Sequence, residues 1–211
     1  MPSVDETEPV KRTRLPAEQR RESILQAAIE VFAVSGYRAG KVSDVAARVG
    51  VSEPVVFQNF GSKSALFAAV LDRVAGDMSE EFHTLVHDHH GSAAQMLAQL
   101  LDPVHIQRMH APGAHGALFA DAATLTAEPD LSEHARRAIR AIADHLADLI
   151  RGGQEAGDVR PDVDPAAAAW LVLSLMSSQP FRTAAMPDTG NLEDGVAALL
   201  LRTLAPVSTA S

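Results

Sequence analysis

The residue types best suited to chemistry in this 211-residue chain are its nine histidines. His83 and His87 stand four apart, which puts both on one face of a helix, and Asp88, His89 and His90 follow directly. Imidazoles at that spacing beside a carboxylate can hold zinc or nickel. The same residues also suit a solvated helix end, where the negative pole favours a cation. His105, His110 and His115 surround Pro112-Gly113 and read as the lining of a loop at the mouth of a larger body, where one could orient a ligand. None of the histidines stands in a pattern with a nucleophilic serine, and the chain has no cysteine. HExxH, Walker and glycine-rich phosphate-loop patterns are absent. The expectation is a binding protein that is not an enzyme, with no resident metal and no cofactor.

Binding chemistry is concentrated instead in "VSDVAARVGVSEPVVFQNFGSK", Val42 to Lys63. Two short apolar segments flank Gly50. A helix-turn-helix needs a small residue where its helices cross, a glycine where the turn leaves the right-handed region, and an apolar residue locking the second helix back. Ala46, Gly50 and Val56 fill those places at the required spacing. Ser52 is placed to cap the second helix and Pro54 falls in its first turn, where a missing N–H costs least. The free N–H groups at that helix start suit phosphate or base edges in a major groove. A plain helical hairpin is the competing reading.

Charge distribution favours the polyanion. From Lys11 to Lys63 there are nine Lys/Arg against five Asp/Glu, and from Ser64 onward nine against nineteen; Asp5, Glu6 and Glu8 complete the net charge of -9. A basic segment on an acidic body suits contact with nucleic acid at one end only. The arm "KRTR", with Arg12 and Arg14, can enter an adjacent minor groove, or it is a solvated tail.

The elements that must position these residues are helical. Hydrophobic residues make up 46% and charged residues 21%, an ordinary globular composition. No apolar run approaches the ~20 residues of a membrane span, and "MPSVDETEPVKRTRLPAEQRR" does not read as a signal peptide; a cytoplasmic protein without membrane contact is expected. Ile24, Ala27, Ala28, Val31 and Phe32 recur as one buried helical face, with Pro16 in the first turn and Gly36 at the C-cap. Short helices follow over Val42–Val49 and Ser52–Phe60, then a long one from about Ser62 to His87. "DLSEHARRAIRAIADHLADLIRGGQEAG" is amphipathic and ends near Gly152-Gly153 or Gly157. Asp164 to Pro180 is apolar all round, so it is expected to be buried within and between subunits. No strand alternation occurs. The expected fold is all-α: a flexible arm 1–14, a head 15–61, a helical body 62–205 and a tail 206–211.

With the pattern "R-x-x-IL-x-AA-x-x-x-F-x-x-x-GY" at Arg21 to Tyr37, "DVA-x-x-x-GVS" at Asp44 to Ser52, "VFQNFGSK" at Val56 to Lys63 and "ALFAAVLDRV" after it, the chain resembles the TetR family of transcriptional regulators. Further on, "EAGDVRPDVDPAAAAWLV" resembles the family's entry to a buried helix. The resemblance implies a homodimer with a three-helix DNA-binding head and an all-helical body that binds a small-molecule effector. Such proteins usually repress, and the ligand releases them from a palindromic operator in double-stranded DNA.

Carried onto this sequence, the resemblance assigns Lys41, Ser43, Ser52, Glu53, Pro54, Val55, Phe57, Gln58, Asn59 and Lys63 to the DNA face. Val55 and Phe57 stand where threonine and tyrosine are frequent, and Asn59 where histidine is usual. Phe57 cannot hydrogen-bond, so it is either core or an apolar contact for a thymine methyl. Gly40 and Lys41 replace a Thr-Ser pair that caps a helix; Ser43 could recover part of that cap. Glu53 can accept from a cytosine amino group or simply favour the helix N-terminus. For the effector pocket the expected lining is Phe82, Met96, Leu100, Met109, His115, Phe119, Leu173, Met176 and Phe181, though methionine and phenylalanine at helical spacing equally make ordinary core. The second functional reading is a helical small-molecule binding protein whose head has weakened or lost DNA affinity.

Overall fold

The computed structural model describes residues 16–88, 92–186 and 190–206, apart from the side chains at 81, 83, 85–88 and 190. Eleven helices and no strand occur among the described residues: α1 (Ala17–Ala39), α2 (Val42–Val49), α3 (Glu53–Phe60), α4 (Lys63–Asp88), α5 (Ala93–Leu100), α6 (Pro103–Met109), α7 (His115–Thr124), α8 (Ser132–Ala156), α9 (Pro165–Ser177), α10 (Gln179–Ala185) and α11 (Gly190–Leu204). None is long and apolar enough to cross a membrane.

The apolar stripe of α1 is buried as its spacing requires, with Ile24 and Ala28 fully inaccessible and Phe32 at 1% exposure. Pro16 is the N-cap of this helix, one position before the first turn. Gly36 leaves the helical region at φ 70°, and a last turn carries the chain to Ala39. Gly40 is there for packing: a Cβ would come within 2.7 Å of the Phe32 ring and the Gly36 carbonyl. Between α2 and α3, Gly50 adopts the left-handed conformation at φ 72°. The Val51 N–H returns to the Ala46 carbonyl at 3.0 Å and the Gly50 N–H to Ala47 at 3.2 Å, which satisfies carbonyls that a helix end would leave open.

Of the two ends expected for α8, the helix takes the second: it runs past Gly152 and Gly153 and stops at Gly157, φ 82°. Gly153 lies inside the helix because α5 crosses there; a Cβ would meet that of Ala93 at 2.6 Å. The apolar segment 164–180, expected as one helix, is corrected to two. Asp164 starts α9 by accepting from the Ala166 and Ala167 N–H groups at 2.8 and 3.2 Å. The chain turns at Ser178, and Pro180 lies in the first turn of α10.

Two hydrophobic cores result. One joins α1, α2 and α3 to the first half of α4 and continues without a break into α7 and the start of α8. Phe67 is its centre, edge-on to Phe32 at 5.2 Å and tilted against Tyr37 at 5.0 Å. The other joins α5, α6, α9 and α11 to the second half of α8. Ile142 on α8 packs against both.

Candidate functional site

On α3 the side chains divide cleanly. Val56 and Phe60 are buried, whereas Glu53, Pro54, Phe57 and Gln58 are exposed and Val55 is half-buried. Phe57 is therefore not core; 40% of it is accessible. Ser52 is the N-cap by position, but its hydroxyl makes no cap hydrogen bond. Lys41 occupies the N-cap of α2 and likewise supplies no acceptor, and Ser43 is half-buried in the first turn. Both helices thus start with N–H groups that their own N-cap side chains leave uncapped. Such groups suit a phosphate oxygen.

Asn59 and Lys63 have partners inside the protein. The Asn59 side-chain amide donates to the Val55 carbonyl at 2.7 Å, and the Asn59 main-chain carbonyl accepts from Arg21, whose guanidinium lies 4.0 Å from the Phe60 ring centre. Lys63 donates to the Arg38 carbonyl at 3.3 Å and sits 4.9 Å from the Tyr37 ring centre. An ammonium has three N–H donors and a primary amide two, so each keeps hydrogen for a further acceptor. Arg12 and Arg14 lie outside the described residues.

The body grips the head through acidic side chains that the sequence does not single out. The Asp121 carboxylate on α7 accepts from the Tyr37 N–H at 2.6 Å. Close by, the Gly113 N–H donates to the Ala33 carbonyl at 2.9 Å, and Arg38 pairs with Glu128 at 3.4 Å. Burial first, then the charges of Glu128 and Asp130, push the Tyr37 hydroxyl above its ordinary pKa. Across α1 and α4, Glu22 binds Arg73 at 2.5 and 2.7 Å; that hydrogen-bonded pairing holds the Glu22 carboxyl below its usual range.

A cavity of about 220 Å³ lies between the two cores. Phe82, Leu100, Met109, Phe119, Leu173 and Met176 line it as expected. Three expected residues do not. Met96 is 4% exposed and packs in the body core; Phe181 is 75% exposed, because the turn at Ser178 carries it away from the α9 face. His115 opens α7 outside the cavity, and its neighbours in the fold, His110 and Gly116, form the wall instead. A Cβ on Gly116 would collide with the Met109 carbonyl, so α6 and α7 meet here at backbone distance. The sequence reading also missed Ala75, Met78, Ile139, Ile142 and His145. Ile139, Ile142 and Leu146 do recur at helical spacing, a signal for the inner face of α8. His145 stacks on Phe82 with ring centres 5.5 Å apart. The side chains of His83 and His87 lie outside the described residues. Among the described residues no group of acidic or histidine side chains is placed to hold a metal.

Residues 24–70 match the family described as bacterial regulatory proteins, tetR family, and residues 104–206 match the C-terminal domain of SbtR-like transcriptional regulators. The transcriptional activator FasR of Mycolicibacterium smegmatis is 50% identical over 60 residues, 28% of this chain and 27% of that protein. The repressor Rv3405c of Mycobacterium tuberculosis is 37% identical over 75 residues, 35% of this chain and 40% of that protein. The match therefore spans less than half the length of either relative. The repressor NicS of Pseudomonas putida is 25% identical over 169 residues, 75% of this chain and 74% of that protein. Among solved structures, a TetR transcriptional regulator from Chloroflexus aurantiacus superposes with a TM-score of 0.68 at 24% identity, over 88% of this chain and 94% of that one. FadR of Bacillus subtilis, solved with stearoyl-CoA, gives 0.64 at 19% identity, over 87% and 98%. These two likenesses establish a shared fold.

Proposed function

Since the chain belongs to the TetR family of bacterial regulatory proteins, we propose that it is a ligand-responsive DNA-binding transcriptional regulator, a repressor released from a palindromic operator when a small molecule fills the cavity between the two cores. The observation that carries this is the double role of α7. Phe119, Ala120 and Ala123 face the cavity, and Asp121 on the same helix holds the Tyr37 N–H at 2.6 Å. A molecule that pushes on α7 thus pushes on the end of α1, which packs against α2 and α4. The long α4 supplies a parallel route, with Ala75, Met78 and Phe82 on the cavity and Lys63 at its head end.

In this reading residues 15–61 form the DNA-binding unit and 62–205 the effector and dimerisation unit. Glu53, Pro54, Phe57 and Gln58 meet base edges, while Lys41, Ser43, Ser52, Asn59 and Lys63 meet phosphates. Phe57, exposed and without a hydroxyl, offers an apolar face for a thymine methyl. The dimer is supported by the outer sides of α9 and α11: Trp170 is 46% exposed, Leu171 55% and Leu199 58%, a density of apolar side chain that a second copy would cover.

Binding of the protein to mixed-sequence duplex at low salt tests the regulator reading against a carrier protein with an inert head. Micromolar or tighter binding that weakens steeply with salt is expected. No binding, or binding indifferent to salt, favours the carrier. An operator recovered by selection and a reporter gene behind it then give the sign of regulation, with repression the expected outcome.

A further inference from the structure

The cavity's own chemistry narrows what can fill it. Among its described lining residues there is no Asp, Glu, Lys or Arg; polar side chains come only from His110, His145 and Ser177, and the rest is aliphatic, thioether or aromatic. A cation that leaves water for such a lining loses its hydration without gaining a counter-charge, at a cost of several kcal/mol. A permanently cationic occupant is therefore disfavoured, even though the whole chain carries a net charge of -9. Size sets a second limit. An apolar cavity of about 150 Å³ accepts benzene. Scaled to about 220 Å³, that allows an occupant of about nine or ten heavy atoms, well short of a long acyl chain.

His110 sets the third limit. Its Nδ1 lies 2.9 Å from the Ile106 carbonyl. A carbonyl only accepts, so Nδ1 carries the hydrogen and Nε2 is the nitrogen left to meet an occupant. In the neutral ring Nε2 accepts, and a ligand with an O–H group satisfies it. If that O–H is acidic enough to transfer its proton, the same pair becomes oxygen anion and imidazolium, and the hydrogen bond survives. His145 is already laid flat against Phe82, which adds a planar wall on which a ring can stack.

We propose that the effector is a small, largely apolar molecule of about ten heavy atoms with one hydroxyl terminus, of the alkylphenol type, whose O–H is received by His110. This assignment rests on the reading of the cavity as the effector site, so its test is made on the full chain without DNA. The probes are 4-propylphenol, its methyl ether 4-propylanisole, the cation 4-propylbenzylammonium and stearic acid, measured by titration calorimetry and thermal denaturation.

The phenol is expected to bind and to raise the denaturation temperature. The ether, with the same body and no donor, is expected to bind at least tenfold more weakly; the ammonium and stearic acid should not bind. His110→Phe, which keeps the apolar volume, should erase the difference between phenol and ether. Should His110→Phe fail to fold, the phenol-to-ether ratio on the unaltered protein still decides. Equal affinities for phenol and ether, preference for the ammonium, or no binding of any probe at millimolar concentration would each overturn the assignment. Selective phenol binding that leaves operator affinity unchanged would instead sink the regulatory reading and leave the pocket chemistry standing.

Discussion

Lys63 holds the head together in the structure and is also proposed to meet the duplex. It ties the start of α4 to the end of α1 through the Arg38 carbonyl and the Tyr37 ring, and it keeps N–H groups for a phosphate. Lys63→Ala is expected to weaken binding to all duplex sequences alike and to make the salt dependence shallower by ~1 phosphate equivalent. An unchanged slope in a filter-binding titration would remove it from the interface. Residues with local duties were legible in the sequence. Ala46, Gly50 and Val56 are fixed by turn sterics and a crossing contact within a dozen positions, so spacing alone reveals them. Asp121 was not legible. Its partner Tyr37 is 84 residues away in the chain, and nothing local distinguishes this aspartate from a solvated one. Met96 and Phe181 failed for a related reason: residue type marks a side chain as apolar but does not say which of two cores, or which side of a turn, receives it.

At the scale of elements, one ion pair stands apart from the surface pairs. Arg182 on α10 binds Glu193 on α11 through two contacts of 2.7 Å, with the two side chains only 16% and 6% exposed. Arg182 also reaches the Ser178 hydroxyl and the Leu175 carbonyl at 2.6 and 3.1 Å, so it fastens the turn after α9 to the last helix. Removing one partner leaves the other charge buried and unpaired, so Glu193→Gln should lower stability by about 3 kcal/mol. Urea denaturation would show it; a loss under 1 kcal/mol would mean that water reaches the site freely. Helix existence was legible almost throughout, because amphipathic period and caps are written within each segment. The ends were less so. A glycine reads as a stop, yet Gly153 sits within α8 to admit Ala93 of α5, a requirement imposed by another element. The turn at Ser178 was passed over although Ser177, Ser178, Gln179 and Pro180 punctuate it, because the apolar stretch before them dominates the reading of 164–180.

For the whole molecule, the placement of the cavity between two cores sets the mechanics. One core is continuous with the DNA-reading helices and the other with the apolar outer sides of α9 and α11. In the proposed reading, an occupant would therefore change how α2 and α3 sit relative to a partner copy. The pairing surface expected for an obligate dimer is ~2,000 Å² or more, and the two heads should meet major grooves ~34 Å apart. Sedimentation at micromolar concentration should give a dimer, and Leu171→Asp should give a monomer; a monomeric unaltered protein would defeat the arrangement. Linkage fixes a further expectation. A ligand that lowers operator affinity by some factor, usually worth ~1–3 kcal/mol, must itself bind the operator complex more weakly by that factor. Equal ligand affinities with and without operator would show that the cavity and the head are not coupled. Trp170, the only tryptophan in the chain, stands 46% exposed on α9 and outside the cavity lining. If α9 pairs with a second copy as proposed, the fluorescence of Trp170 becomes a built-in optical gauge of assembly. The emission maximum should move to shorter wavelength as the indole leaves water on pairing, with no dye or label attached and no competing indole to subtract.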